Sequence, residues 1–459
     1  MPEVSTGVTH CSQHHSFPSV TTNKSLKDCL RHFTPAWFAV IMGTGAISIL
    51  FHNYPYPTRT LYIFTFIIFF LNLVLFIIFN ILTIARYVIF PDIWSIMIRH
   101  PVQSLYLGCY PMGGSTLINI GVSLIYQQYG FGGKPFLYFL WAMWWLEVGL
   151  SFLCVFPLVH IMKTRQDHTL SRMTAIWLLP IVTFVVASST GGVIAPALLP
   201  FSRYHALITL TLSAYMVFVG LAFAFMILSI YFLRLITYGL PQGASVISVF
   251  IPLGPMGQGG YAILLLGQGF RSILPSDDGS VLSDQNTGEV LNVICIAAAF
   301  VLWSIATAWL LYALLAVAEV ANPQGEAQRF PFKLPVWGLI FPNGVYANLT
   351  LRLALELDIT CLRIWGAIWA PITLLVWSLV FTRTLTLLRY GRIFESPCIE
   401  EVDMTRKNQK DLLEEMTYSH QERQATRRGE HNIETTQMNE EPIWRSGSSN
   451  TTIRPQDTL

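Results

Sequence analysis

Ten stretches of nearly unbroken apolar residues run through this 459-residue chain, at 33–51, 60–87, 105–126, 136–162, 173–199, 205–236, 245–268, 290–320, 335–356 and 362–388. About 20 residues of helix span the roughly 30 Å of a bilayer's hydrocarbon core. The pattern therefore predicts an all-α polytopic membrane protein with ten transmembrane helices. Polar residues dominate on either side of this region. The expected organisation is a disordered leader over 1–30, a transmembrane domain over 31–390 and a disordered tail over 391–459. In that tail Lys, Arg, Glu, Gln, Asn, Ser and Thr replace the apolar runs.

The ten stretches are of two kinds. Every second one, starting with the first, carries a proline embedded among glycines and small residues. In order these are TPAWFAVIMGTG from Thr34, YPMGGSTLIN from Tyr110, LPIVTFVVASSTGGVIAP from Leu179, IPLGPMGQGG from Ile251 and FPNGVYANL from Phe341. The lead prolines are Pro35, Pro111, Pro180, Pro252 and Pro342, at steps of 76, 69, 72 and 90 residues. The intervening stretches lack this pattern. A proline inside a helix costs about 3 kcal/mol and a glycine about 1. Hydrocarbon tolerates such breaks only where neighbouring helices or a water-lined cavity satisfy the freed backbone groups. The alternation predicts five two-helix repeats, each a broken helix followed by a plain one, with the broken helices facing a shared pore. The competing explanation is that proline and glycine are generally commoner in membrane helices than in soluble ones.

A broken helix points free N–H groups and a partial positive charge at the gap, which suits an anion. The central spans of the first, third, fifth and seventh stretches hold no Lys or Arg, and the ninth holds only Arg352 near its outer end. The breaks are expected near Gly43, Gly113, Gly191, Gly257 and Gly344. The candidate path comprises these glycines with Thr44, Gly45, Gly114, Ser115, Asn119, Ser188, Ser189, Gln258, Gly259 and Asn343. Hydroxyl and amide donors without a fixed cation bind an anion weakly enough to release it. The alternative for each is local: Ser and Thr bond their own helix backbone, and small residues let helices approach closely. One carboxyl, Glu147, lies deep in the fourth stretch. It is a possible proton site, or else a structural hydrogen-bonding group.

Composition sharpens this picture in one respect. With 53% hydrophobic and 12% charged residues, the chain is far more apolar than a soluble domain, which averages about 25% charged. Positive residues favour the even-numbered connections and the two ends, including Lys24, Lys27, Arg31, Arg86, Arg99, Lys163, Arg165, Arg234, Arg389 and Arg392. That bias places both termini in the cytoplasm. The seven cysteines do not pair across one compartment and form no disulfide framework. Sequons at Asn23, Asn348 and Asn450 fall in cytoplasmic or intramembrane positions. Residues 88–104 are expected to form a short interfacial helix. No phosphate loop or HExxH motif is present, so neither nucleotide hydrolysis nor zinc protease chemistry is indicated. No cofactor, metal or nucleic-acid partner is expected, and the chain is not expected to be an enzyme; membrane lipid surrounds it.

The proline-bearing stretches resemble the tellurite-resistance/dicarboxylate transporter family and, within it, the fungal sulfite efflux pumps. FTPAWFAVIMGTGAIS (33–48), YPMGGSTLIN (110–119), LPIVTFVVASSTGG (179–192), LGPMGQGGYAILLL (253–266) and WGLIFPNGVYANL (337–349) carry the likeness. It covers about residues 31–390. The resemblance implies a homotrimer with one pore per subunit, lined by helices 1, 3, 5, 7 and 9. It also implies a pore gate at Phe341, immediately before Pro342. The function it implies is export of sulfite or hydrogensulfite through the plasma membrane, conferring sulfite resistance. The rival within the family is a proton-coupled malate or C4-dicarboxylate permease, for which Glu147 is the available titrating group. A receptor without a conduit is the rival from another class. Channel and coupled carrier both remain open.

Overall fold

Apolar runs with good helix formers and few internal polar groups satisfy their backbone only as helices in hydrocarbon, and the chain folds accordingly. The computed structural model describes residues 25–241, 243–274, 285–321, 332–391 and 393–438, and no strand occurs among them. In chain order the principal helices are α1 (Phe38–His52), α2 (Arg59–Ile89), α3 (Cys109–Ile120), α4 (Gly133–Leu153), α5 (Leu179–Leu198), α6 (Arg203–Tyr238), α7 (Leu253–Ile273), α8 (Gln285–Ala321), α9 (Ile340–Glu356), α10 (Thr360–Arg389) and α11 (Pro397–Met438).

Among the described residues, eight helical segments are long and apolar enough to cross a membrane. They are Pro35–His52, Arg59–Ile89, Gly133–Arg165, Ala175–Leu198, Arg203–Tyr238, Ser245–Ile273, Asn286–Val320 and Thr360–Arg389. The expected third and ninth spans are helical too, as α3 continued by the π-helical turn Gly121–Gln128, and as α9. Their glycines, hydroxyls, amides and the Arg352 side chain leave them too polar to qualify on length and hydropathy alone.

Packing separates the helices into two groups. α1 contacts α3, α3 contacts α5, α5 contacts α7, α7 contacts α9, and α9 returns to α1. Outside this closed circuit α2 lies on α1, α4 on α3 and α5, α6 on α5 and α7, α8 on α7, and α10 on α9. Burial follows the same division. The segments containing α1, α5 and α7 are 89–100% buried, whereas those containing α2, α4, α6, α8 and α10 are 22–39% buried. Small residues on the inner helices permit close approach, and the outer helices leave many bulky apolar residues exposed.

The expected mid-helix breaks are corrected by the backbone. Each inner helix is entered through a 3₁₀ segment: Pro35–Trp37 before α1, Gln103–Gly108 before α3, Ala175–Leu178 before α5, Gly243–Phe250 before α7 and Leu334–Leu339 before α9. Pro35 opens the first of these. Pro111, Pro180 and Pro342 stand in the first turns of α3, α5 and α9, and Pro252 is the N-cap of α7. In a first turn the proline's missing N–H has no intrahelical acceptor to lose. The prolines therefore start helices rather than interrupt them. Gly43, Gly113, Gly191, Gly257 and Gly344 all lie inside continuous α-helix, so the backbone presents no free donors there.

Of two further segments, the first forms a short helix as expected and the second differs from expectation. The short helix within 88–104 spans Asp92–Arg99; it buries Ile93 and Met97 and leaves Trp94 exposed. The described residues after Cys398 form a unit of their own. The tail expected to lack order is a single helix over Pro397–Met438, and every residue from 404 to 424 is exposed. Glu, Lys, Gln, Arg, Leu and Met are all good helix formers, so a composition that cannot build a core is still compatible with an isolated polar helix. The leader residues 1–24, Asn23 and Asn450 lie outside the described residues.

Candidate functional site

The inner helices enclose two cavities in line. The first, about 190 Å³ in volume, opens among their N-terminal turns. The second, about 10 Å³, lies further along the same helices. Their linings follow one stripe per helix at steps of three or four residues: Met42, Ala46 and Ile49 on α1; Met112, Thr116 and Asn119 on α3; Val182 and Val186 on α5; Gly254, Gln258 and Tyr261 on α7; Phe341, Val345 and Asn348 on α9. That spacing is one face of a helix. Phe341 is the one described residue common to both linings. Its ring is 4% exposed, and a 10 Å³ space admits about one water molecule. The Phe341 side chain lies where the two linings meet.

Of the hydroxyl and amide groups expected on the path, Asn119 and Gln258 reach the second cavity, along with Gly344. Asn119 Oδ1 is buried and has no hydrogen-bond partner among the described residues. Gln258 Nε2 donates to Ser189 Oγ, which itself donates to Val186 O at 2.8 Å. Thr116, Tyr261 and Asn348 complete the polar lining. Thr116 Oγ1 donates to Gly113 O at 2.7 Å, and Asn348 Oδ1 accepts from Asn53 Nδ2 at 2.8 Å.

The other candidates turn away from both cavities. Thr44 Oγ1 accepts from Trp377 Nε1 of α10 at 3.2 Å. Asn343 donates to Leu339 O at 2.7 Å and accepts from Trp369 Nε1 at 3.3 Å. Ser188 Oγ is buried and unpartnered but lines neither cavity. The glycines are contact points between helices. A Cβ on Gly257 would sit 3.0 Å from the Tyr346 backbone nitrogen, and one on Gly45 would collide with Thr116 and Asn72. Gly43 packs on Trp337 and Ile340, Gly113 on Ile41, Gly191 on Trp144 and Ser213, and Gly259 on Leu221. Gly114 lines an outer groove instead.

Glu147 is also off this line. It is 3% exposed, and its carboxyl is hydrogen-bonded to Ser115 Oγ, which lies 3.1 Å from Pro111 O. Its other oxygen has no partner among the described residues. It lines an apolar groove of about 670 Å³ between α2, α3 and α4, outside the inner circuit. At the first cavity Lys333 is the one cation among the described lining residues, and it pairs with Glu395 at 2.9 Å.

Sequence reasoning missed Tyr261 and treated Asn348 only as a sequon. The signal was available: counting four and seven residues on from Phe341 along a helix gives Val345 and Asn348.

Described residues that form helices without a strand, eight of those helices long and apolar enough to cross a membrane, packed around narrow internal cavities, define a polytopic membrane protein. The chain belongs to the voltage-dependent anion channel (SLAC1) family, whose profile matches residues 32–385. Among its relatives is the sulfite efflux pump SSU1 of Arthroderma benhamiae, 33% identical, with 78% of this chain and 91% of the relative covered. The sulfite efflux pump SSU1 of Saccharomyces cerevisiae is 25% identical over 76% of this chain and 86% of its own. The malic acid transport protein of Schizosaccharomyces pombe is also 25% identical, covering 77% and 78%.

Proposed function

We propose that the protein exports sulfite across the plasma membrane, and thereby confers sulfite resistance, by anion flow through the interior of the inner helices with Phe341 as the gate. The observation that carries the proposal is the position of that ring between two cavities aligned along the same five helix faces. Support for the substrate comes from relatives named as sulfite efflux pumps, one of them 33% identical over most of both chains. An inside-negative potential supplies about 2.3 kcal/mol per elementary charge per 100 mV for anion exit, so efflux needs no nucleotide hydrolysis.

In this proposal ten helices, including the more polar α3 and α9, cross the membrane as five two-helix repeats, and both termini are cytoplasmic. The first cavity is then the cytoplasmic vestibule, with Lys333 at its rim. An anion passes Phe341 and meets the amides of Asn119, Gln258 and Asn348 and the hydroxyls of Thr116 and Tyr261. These groups hold it without a fixed charge, so it is released quickly. The assembly is a homotrimer with one such path in each subunit, surrounded by lipid.

The malate reading draws on the Schizosaccharomyces relative. A dicarboxylate carries its two charges apart, yet the second cavity is lined by no cation and Glu147 lies outside the path. Efflux of labelled sulfite and labelled malate from cells lacking the gene, with and without its restoration, separates the two. Restored sulfite efflux and sulfite tolerance are expected; malate efflux alone would sink the proposal.

A further inference from the structure

Beyond the second cavity, at the end away from the vestibule, the Arg352 guanidinium and the His52 imidazole lie on neighbouring helix ends. Asn348 lines the second cavity from α9 and Ile49 lines it from α1. Arg352 is one helical turn beyond Asn348, and His52, the last residue of α1, is about one turn beyond Ile49. Both therefore continue the lining stripes outward. The same two helix ends are tied together by the Asn53–Asn348 hydrogen bond of 2.8 Å.

Neither side chain has found a partner. Arg352 Nε and His52 Nδ1 are buried atoms with no hydrogen bond among the described residues. The next two carboxylates along the chain bond other groups: Glu356 accepts from Gln268 Nε2 at 2.5 Å, and Asp358 pairs with Arg363 at 2.9 Å. His52 otherwise makes only a tilted ring contact with Tyr62, centroids 6.4 Å apart. A buried guanidinium nitrogen and a buried imidazole nitrogen left unpaired cost free energy, unless a ligand completes them. The planar fork of a guanidinium suits a small oxyanion, which it binds through paired charge-assisted hydrogen bonds.

We infer that Arg352 and His52 form an anion-binding site at the far mouth of the path, taking a small oxyanion of the sulfite class. A fixed charge placed here, past the narrow part, draws the ion through the gate and holds it where bulk water competes for it. The idea that the ion arrives through the gate rests on the transport proposal; the binding itself does not.

The test separates the two. Thermal unfolding of the purified full-length chain in detergent is followed as sodium sulfite is titrated at constant ionic strength, for the native protein, Arg352→Gln, Arg352→Lys and His52→Gln. Sulfite is expected to raise the unfolding temperature of the native protein. Losing one charge-assisted pair moves the half-maximal concentration about tenfold upward in Arg352→Gln, and Arg352→Lys recovers most of that shift. His52→Gln should give a smaller shift in the same direction. A half-maximal concentration in Arg352→Gln within about twofold of the native value, or no response of the native protein, overturns the inference. Labelled-sulfite flux in liposomes is measured on the same preparations. Native protein that responds to sulfite but passes none keeps the site and removes the transport proposal.

Discussion

Phe341→Ala removes the ring that lines both cavities, and its consequences are calculable in outline. The native ring is 4% exposed, and fully burying a side chain of this size is worth about 1.5–3 kcal/mol. If the gate opens by swinging the ring out of its packing, the native protein meets that cost at each opening. Truncation abolishes it, so anion flux should rise roughly 10- to 150-fold, at about 1.4 kcal/mol per factor of ten. A space of about 10 Å³ then merges with the vestibule of about 190 Å³. Removing a phenylalanine from a close-packed core costs about 3–5 kcal/mol of stability. Here the ring already borders two cavities, so the lower end of that range is expected. Labelled-sulfite flux in liposomes, normalised to folded protein, is the assay. Flux unchanged in Phe341→Ala at native levels of folded protein would falsify the gate.

Three further outcomes follow from the packing. Glu147→Gln keeps a hydrogen-bonding partner for Ser115 and should leave sulfite flux within about twofold; Glu147→Ala strands buried polar groups and should cost about 1–3 kcal/mol in thermal unfolding. Abolished flux in Glu147→Gln with a normal melt would instead assign it a proton role. Gly191→Ala places a methyl 2.8 Å from the Trp144 ring and against Ser213, an overpacking worth about 1–3 kcal/mol. Gly149→Ala meets nothing within 4 Å and should be neutral or gain up to about 1 kcal/mol from helix propensity; melting curves of the pair check this. Lys333 and Glu395 are about half exposed, at 48% and 45%, so Lys333→Gln should change stability by less than about 1 kcal/mol. Its flux defect should appear at low salt and fade near 1 M, where the screening length is about 3 Å.

Individual residues show how far the sequence could be followed. The five prolines were legible as marks of one class of helix. Their placement was not, because proline suits a first turn as well as a kink, and only the backbone separates the two. Gly45, Gly191 and Gly257 were assigned to the path on composition, yet they serve helix contacts. A residue without a side chain gives no sign of what approaches it. Thr44 and Asn343 were equally plausible donors; they face Trp377 and Trp369 of α10. Asn119 and Gln258 do line the second cavity, and nothing in their local sequence set them apart from the others.

Taken alone, the sequence determined that the chain lives in a bilayer and which of its helices are small-residue helices. Those properties are summed over a segment, through apolar length and residue size. Tertiary structure decided which face of each helix points inward. A helix buried on all sides, as α1 and α5 nearly are, has no polar side to betray its orientation. It also decided that Phe341 lines both cavities and that Arg352 and His52 lie on helix ends tied by the Asn53–Asn348 bond, since both depend on how α1 and α9, almost 300 residues apart in the chain, come to lie against each other.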